Sequence, residues 1–287
     1  MPNSYESITI DIGHLTLHAL EKRGAGPKIL AIHGWLDNAA SFVPLFEHLD
    51  AHIIALDLPG CGYSDHYPDG FRYHFVDTAH CINLAAKALG WPNFLLMGHS
   101  LGANLCPWVY TAAQDTIKGI IMIDGAGPVT ESSEAMVARL GKAQAQSTKS
   151  SALKRIYSTP QAAIEMRLKA TDMRAEDATL IVERNLIETD GGYAWRSDPK
   201  WRLPSPNYYH EEQVLSVLEH ISVPVLWIVA NSGVLTGKLQ NKVERRAQQI
   251  PKLTQVSLDG NHHIHMEQAA ATAQSIKQWL TQHALST

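Results

Sequence analysis

The apolar run Asn93-Phe94-Leu95-Leu96-Met97 ends directly in Gly98-His99-Ser100-Leu101-Gly102, and a helical pattern follows from Leu101 to Ala113. A buried strand that passes into a helix within five residues has few geometries open to it. Glycines two positions either side of Ser100 allow a strained turn in which the hydroxyl projects from the sheet edge. The amide of Leu101 then opens the helix and can donate to a developing oxyanion. The competing reading of the same five residues is a serine that caps the helix with its side chain.

Strand-like and helical runs alternate over most of the 287 residues, which predicts a mostly parallel sheet covered by helices. Ser7 to Ile10 and Leu15 to Leu20 read as an opening antiparallel pair turned at Gly13. Lys28 to Ile32, His52 to Leu56, Asn93 to Met97, Lys118 to Ile123, Val223 to Val229 and Thr254 to Leu258 read as successive buried strands. Helices are predicted at Phe42 to Leu49, Phe75 to Leu89, Leu239 to Gln249 and Glu267 to His283. The rhythm breaks between Thr130 and Glu219, which is polar, helix-rich and without a clear central strand. Helices there are predicted over Ser132 to Ala145, Pro160 to Lys169 and Ala175 to Ile187. The expected organisation is a core of residues 1–129 and 220–287 with residues 130–219 inserted as a helical cap.

Bulk properties narrow the function. No run of about 18 apolar residues exists, which argues against a membrane span, and Met1 to Ile10 lacks the form of a secretory leader. Cys61, Cys81 and Cys106 are an odd number without metal spacing, so a reducing, cytoplasmic setting is expected. A net charge of −4 and the lack of long basic runs argue against a nucleic-acid partner. Lys149, Lys154 and Arg155 read as a solvated helix face. Oligomeric state is not readable from the chain.

A hydroxyl nucleophile needs a base, and the base needs an orienting carboxylate. Gly260-Asn261-His262-His263-Ile264-His265-Met266-Glu267 follows the last strand. His262 is the first choice for the base and His263 the second, with His265 belonging to the approach of the final helix. Three histidines so close could bind a metal, but no adjacent cysteine or acidic pair completes a ligand set, and no metal is expected. The loop after Val223 to Val229 holds no acid; indeed no Asp or Glu lies between Glu219 and Glu244. Elimination leaves Asp124, at the carboxyl end of Lys118 to Ile123, although the same residue could cap the Gly125-Ala126-Gly127-Pro128 turn. Asp37 and Asp57 read as loop and turn carboxylates, and Asp259 is too near His262 in sequence to reach the right ring nitrogen. His33-Gly34-Trp35 supplies a second turn whose Trp35 amide could complete an oxyanion hole, with His33 bracing the loop.

These motifs, together with Asp57-Leu58-Pro59-Gly60-Cys61-Gly62-Tyr63-Ser64-Asp65, stand in an order that resembles the α/β-hydrolase superfamily over residues 28–283. The double histidine and Trp195-Arg196-Ser197-Asp198-Pro199 are similar to its serine-hydrolase-like branch. The resemblance implies an α/β-hydrolase fold with an eight-stranded sheet, a helical cap and esterase activity on a small-molecule ester without a cofactor. It puts the nucleophile on Ser100, the base on His262 and the oxyanion amides on Trp35 and Leu101. The chain departs from the family at the acid, whose commoner position aligns with Gly233 or its neighbours; Asp124 matches the alternative used by some members. Thioesters, lactones and carbon–carbon bonds would suit the same site, and a binding protein that has lost catalysis is the reading from another class. Trp195, Trp201, Tyr208 and Tyr209 are candidates to line a pocket, although packing is the simpler use of most of them.

Overall fold

A computed structural model describes residues 5–147 and 155–286. Its eight-stranded sheet is built from β1 (Glu6–Asp11), β2 (Thr16–Lys22), β3 (Lys28–Ile32), β4 (His52–Leu56), β5 (Phe94–His99), β6 (Ile117–Ile123), β9 (Val225–Ala230) and β10 (Leu253–Leu258). Two short strands, β7 (Leu186–Thr189) and β8 (Gly192–Trp195), form a separate hairpin. The order across the large sheet is β1-β2-β4-β3-β5-β6-β9-β10. The pairings β1/β2 and β2/β4 are antiparallel, and every other pairing is parallel. This is the mostly parallel, helix-flanked sheet that the alternating pattern predicts.

Parallel strands covered on both faces lose the alternation of an exposed sheet, and β5 and β9 are buried at every residue. Two apolar clusters result, one on each face. Leu96, Met122 and Trp227 point to one, and Leu95, Ile121 and Trp279 pack in the other. β9 starts at Val225, two residues later than predicted, because Pro224 has no N–H to give to a ladder.

The strand order reverses between β3 and β5. β4 lies on one side of β3 and β5 on the other, which opens a crevice at the carboxyl ends of the two strands. The His33-Gly34-Trp35 turn and Ser100 both leave the sheet at that crevice, since Ile32 pairs with Gly98.

Residues 130–219 leave the sheet after β6 and return at β9. Helices form at Met136–Ser147, Pro160–Ala170, Ala175–Asn185 and Glu211–Glu219. One prediction fails here. The helix expected to run to Ile187 stops at Asn185, and Leu186 begins β7. The cause is Asp190-Gly191, a two-residue hairpin turn closed by the Thr189–Gly192 pair, with Gly191 in the left-handed region at φ 90°. That dipeptide was a readable signal. Lys149 and Lys154 of the basic cluster lie outside the described residues, and Arg155 lies in no helix.

Polar contacts seat this segment on the sheet's loops. Arg184 Nη2 donates to Asp57 Oδ2 at 2.8 Å, Asn38 Nδ2 to the Ile181 carbonyl at 2.8 Å, and Arg174 Nη2 to the Met266 carbonyl at 2.9 Å. Of the aromatic candidates, Trp201 stacks on Tyr73 with centroids 4.7 Å apart, and Tyr209 packs on Trp108 at 5.0 Å. Tyr208 lies under the Arg139 guanidinium, 3.7 Å from its ring centroid. Only Trp195 of the four faces the large cavity described below.

Candidate active site

Ser100 sits at φ 52°, ψ −111°, where a side chain is strained, and makes no capping hydrogen bond to the helix Leu101–Ala112 that it opens. The capping reading of this serine is therefore excluded. Sterics explain both glycines. A Cβ on Gly98 would lie 2.3 Å from the Gly102 backbone, and one on Gly102 would lie 1.9 Å from the Ile32 carbonyl oxygen. The turn is so tight that the helix start presses against both neighbouring strands.

The hydroxyl of Ser100 instead donates to His262 Nε2 at 2.9 Å. The other ring nitrogen, Nδ1, donates to Asp124 Oδ2 at 2.6 Å. A carboxylate can only accept, which assigns the Nδ1–H tautomer to His262 and leaves the Nε2 lone pair for the serine. Asp124 is fully buried, and the His262 side chain is 25% exposed. His262, not His263, is the histidine within reach of Ser100. Asp124 does not use its side chain to cap the turn that follows it. Its carboxylate accepts from the amides of Ala230 at 3.2 Å and Val234 at 3.1 Å, both around the loop after β9.

Those two amides bind the carboxylate at the loop after β9, which carries no acid of its own. A Cβ on Gly233 would lie 2.3 Å from Asp124 Oδ2. The carboxylate from β6 thus occupies the volume into which a side chain at 233 would grow. Asp124 reaches it from a left-handed backbone at φ 43°. Three of the four non-glycine residues with positive φ among the described residues, Leu36, Ser100 and Asp124, belong to this rim.

His33 lies beneath the first loop as expected. The Leu58 amide donates to its Nε2 at 3.0 Å, so its Nδ1–H donates to the Gly34 carbonyl at 2.7 Å. Burial lowers its pKa, which keeps the ring neutral. The Asp37 amide donates to the Gly34 carbonyl across Trp35 and Leu36, which turns the chain at the mouth of the crevice.

A second network was not visible in the sequence. His99 Nε2 donates to the backbone carbonyl of His262 at 2.9 Å and so holds the loop that carries it. His263 Nε2 donates to Asp37 Oδ2 at 3.1 Å, and Arg167 donates to Asp37 Oδ1. Burial alone would raise the Asp37 pKa, but Arg167 and His263 outweigh it and hold the carboxyl well below its usual range. Burial, reinforced by neighbouring imidazoles, pushes His99 and His265 well below the ordinary histidine value, so both are neutral. Asp37, His99 and His263 bring one ligand atom each within 4.8 Å of one another. The acidic group that the sequence lacked near its histidines therefore arrives from the loop after β3, where the Arg167 guanidinium already compensates its charge.

A cavity of about 550 Å³ opens over Ser100 and His262, within the range of small-molecule sites. Its walls come from the loop after β3 on one side and from residues 155–202 on the other.

Comparison with known proteins agrees with this architecture. The family model of the alpha/beta hydrolase fold matches residues 27–269. The chain belongs to that family, in its serine-hydrolase-like branch. It is 29% identical to a serine hydrolase-like protein of Dictyostelium discoideum over 96% of this chain and 81% of the relative. It is 30% identical to a probable serine hydrolase of Drosophila melanogaster over 83% and 76%. The crystal structure of a hypothetical protein from Pseudomonas aeruginosa PAO1 superimposes with a TM-score of 0.89 at 31% identity, covering 96% of this chain and 98% of that one. Among the described residues no helix is long and apolar enough to cross a membrane.

Proposed function

We propose that the protein is a carboxylic ester hydrolase working through an acyl-enzyme, with Ser100 as nucleophile, His262 as base and Asp124 as the orienting acid. The observation that carries this reading is the unbroken relay from Ser100 Oγ to His262 at 2.9 Å and from His262 to Asp124 at 2.6 Å. Ser100 Oγ attacks the ester carbonyl as its proton passes to His262 Nε2. The buried Asp124 carboxylate stabilises the imidazolium, which then protonates the leaving alcohol. Water, deprotonated by the same imidazole, clears the acyl group.

The Leu101 amide is the first of its helix and has no intrahelical acceptor. Together with the Trp35 amide it forms the oxyanion hole in this mechanism, each donor contributing about 2.7–4 kcal/mol to the transition state. Residues 130–219 act as a cap that excludes water from the reacting carbonyl. The support for this role is that the cavity over Ser100 is walled by residues 155–202.

Matching segments of named hydrolases favour the same class. A pimeloyl-[acyl-carrier protein] methyl ester esterase of Xylella fastidiosa is 33% identical over 36% of this chain. A 2-(acetamidomethylene)succinate hydrolase of Mesorhizobium japonicum is 34% identical over 46%. An empty acid position after β9 would favour a non-catalytic binder, but the Asp124 carboxylate fills that space.

A fluorophosphonate probe tests the reading. Wild-type protein should be labelled and Ser100→Ala protein spared, with turnover of p-nitrophenyl esters lost in parallel. Equal labelling of both proteins removes Ser100 from the mechanism, and wild type inert toward the probe and all esters overturns the enzyme.

A further inference from the structure

The chain carries more acidic than basic residues, 28 against 24, yet the cavity over Ser100 has the opposite balance. Its described lining holds three arginines, Arg155, Arg167 and Arg202, and two carboxylates, Asp37 and Asp198. Each carboxylate is already committed. Asp37 is paired with Arg167 and His263. Asp198 Oδ2 accepts from the Tyr73 hydroxyl at 2.8 Å and lies 3.3 Å from Lys200 Nζ. Arg155 and Arg202 are left with no ion pair among the described residues.

Neither arginine is held the way a merely structural one is. Among the described residues Arg155 contacts soft partners: its guanidinium lies 5.4 Å from the Tyr157 ring centroid and its Nη1 3.7 Å from Met166 Sδ. Arg202 ends the short turn Pro199–Arg202 and is exposed. By contrast, Arg167, Arg174, Arg184 and Arg246 each meet a carboxylate within 3 Å. Two guanidiniums without ion pairs among the described residues, lining one cavity, raise the local concentration of anions there. An anionic group supplies bidentate hydrogen bonds that water gives only weakly.

We infer that Arg155 and Arg202 form an anion subsite, so that the substrate is an ester or thioester carrying a carboxylate or phosphate away from the bond that is cleaved. This rests on the hydrolase reading above and names the substrate class for it. The anion has two possible sources: a carboxylate at the far end of the acyl chain, or phosphates on the leaving group.

Matched pairs separate the two. p-Nitrophenyl hydrogen adipate is compared with p-nitrophenyl hexanoate for the acyl arm. Hexanoyl-coenzyme A is compared with the N-acetylcysteamine thioester of hexanoate for the leaving-group arm. In at least one pair, kcat/KM for the charged member should exceed that of its neutral partner about tenfold, and added salt should compress the ratio. The double variant Arg155→Glu/Arg202→Glu should invert the ratio. No preference in either arm, or a ratio that the double variant leaves unchanged, overturns the subsite while neutral-ester turnover keeps the hydrolase reading intact. If nothing is turned over, calorimetry on Ser100→Ala protein decides the subsite alone. In at least one of two pairs, monomethyl against dimethyl adipate or coenzyme A against pantetheine, the charged member should bind about tenfold more tightly, and equal affinities in both pairs overturn it.

Discussion

Two aspartate–histidine pairs lie side by side at this rim, Asp124 with His262 and Asp37 with His263. Their histidines are consecutive in the chain. What separates them is the third partner of each carboxylate. Asp124 takes two backbone amides and no cation among the described residues, whereas Asp37 is neutralised by Arg167. An uncompensated buried carboxylate can stabilise a new positive charge on its imidazole; one already paired with guanidinium has little left to offer. His262 also faces the cavity, with its side chain 25% exposed against 8% for His263. Identical residue types thus serve different ends: the first pair is electrostatically poised, and the second fastens the Arg167 helix to the loop after β3.

The largest expected break in that contrast is Asp124→Asn. The amide cannot hold the Nδ1–H tautomer, and kcat for ester cleavage should fall about 10⁴-fold with the fold retained, as judged by circular dichroism. A drop under tenfold would put the two pairs on an equal footing. The double variant Asp124→Gly/Gly233→Asp tests the shared volume. Its new carboxylate should restore about tenfold or more of the turnover lost in Asp124→Gly, and no recovery would show that volume alone does not define the acid position.

Asp37→Asn should act mainly on stability. It leaves the mostly buried Arg167 without its counter-charge, a loss of about 3–5 kcal/mol by denaturant titration. Turnover per folded molecule should fall far less than in Asp124→Asn, and the reverse ordering would exchange the roles of the two pairs.

The smallest effect concerns protons. His265 is fully buried, its two ring nitrogens find no hydrogen-bond partner among the described residues, and burial holds its folded pKa well below the ordinary value. The unfolded chain then binds a proton that the folded chain refuses. This group's contribution to stability is therefore constant above about pH 6.5 and falls below it by up to about 1.4 kcal/mol per pH unit for each such histidine. His265→Leu should remove one such increment from the slope between pH 6 and 5, and at pH 7 should cost little. An unchanged slope would mean that His265 is protonated in the folded state.

Much of this site was legible because strand ends are local. Gly98-His99-Ser100-Leu101-Gly102 carries its own steric logic, and each strand of the large sheet was found within two residues or so. Asp124 was reachable only by elimination, since nothing in Ile123-Asp124-Gly125 says that its carboxylate will cross to the loop after β9. The hairpin β7/β8 was written in Asp190-Gly191 but masked by the helical pattern running into it. Arg167, Asp37 and His99 gave no signal, because their partners are 130, 226 and 163 residues away in sequence.

The sequence by itself determined the layered sheet, the serine turn and the histidine loop, because periodicity, glycine sterics and residue chemistry act within a few neighbours. Tertiary structure alone decided which of two adjacent histidines meets the serine, which carboxylate meets that histidine, and which cavity arginines have no ion pair among the described residues. Those outcomes depend on charge and volume contributed by segments far apart in the chain, and such sums exist only once the sheet has brought them together.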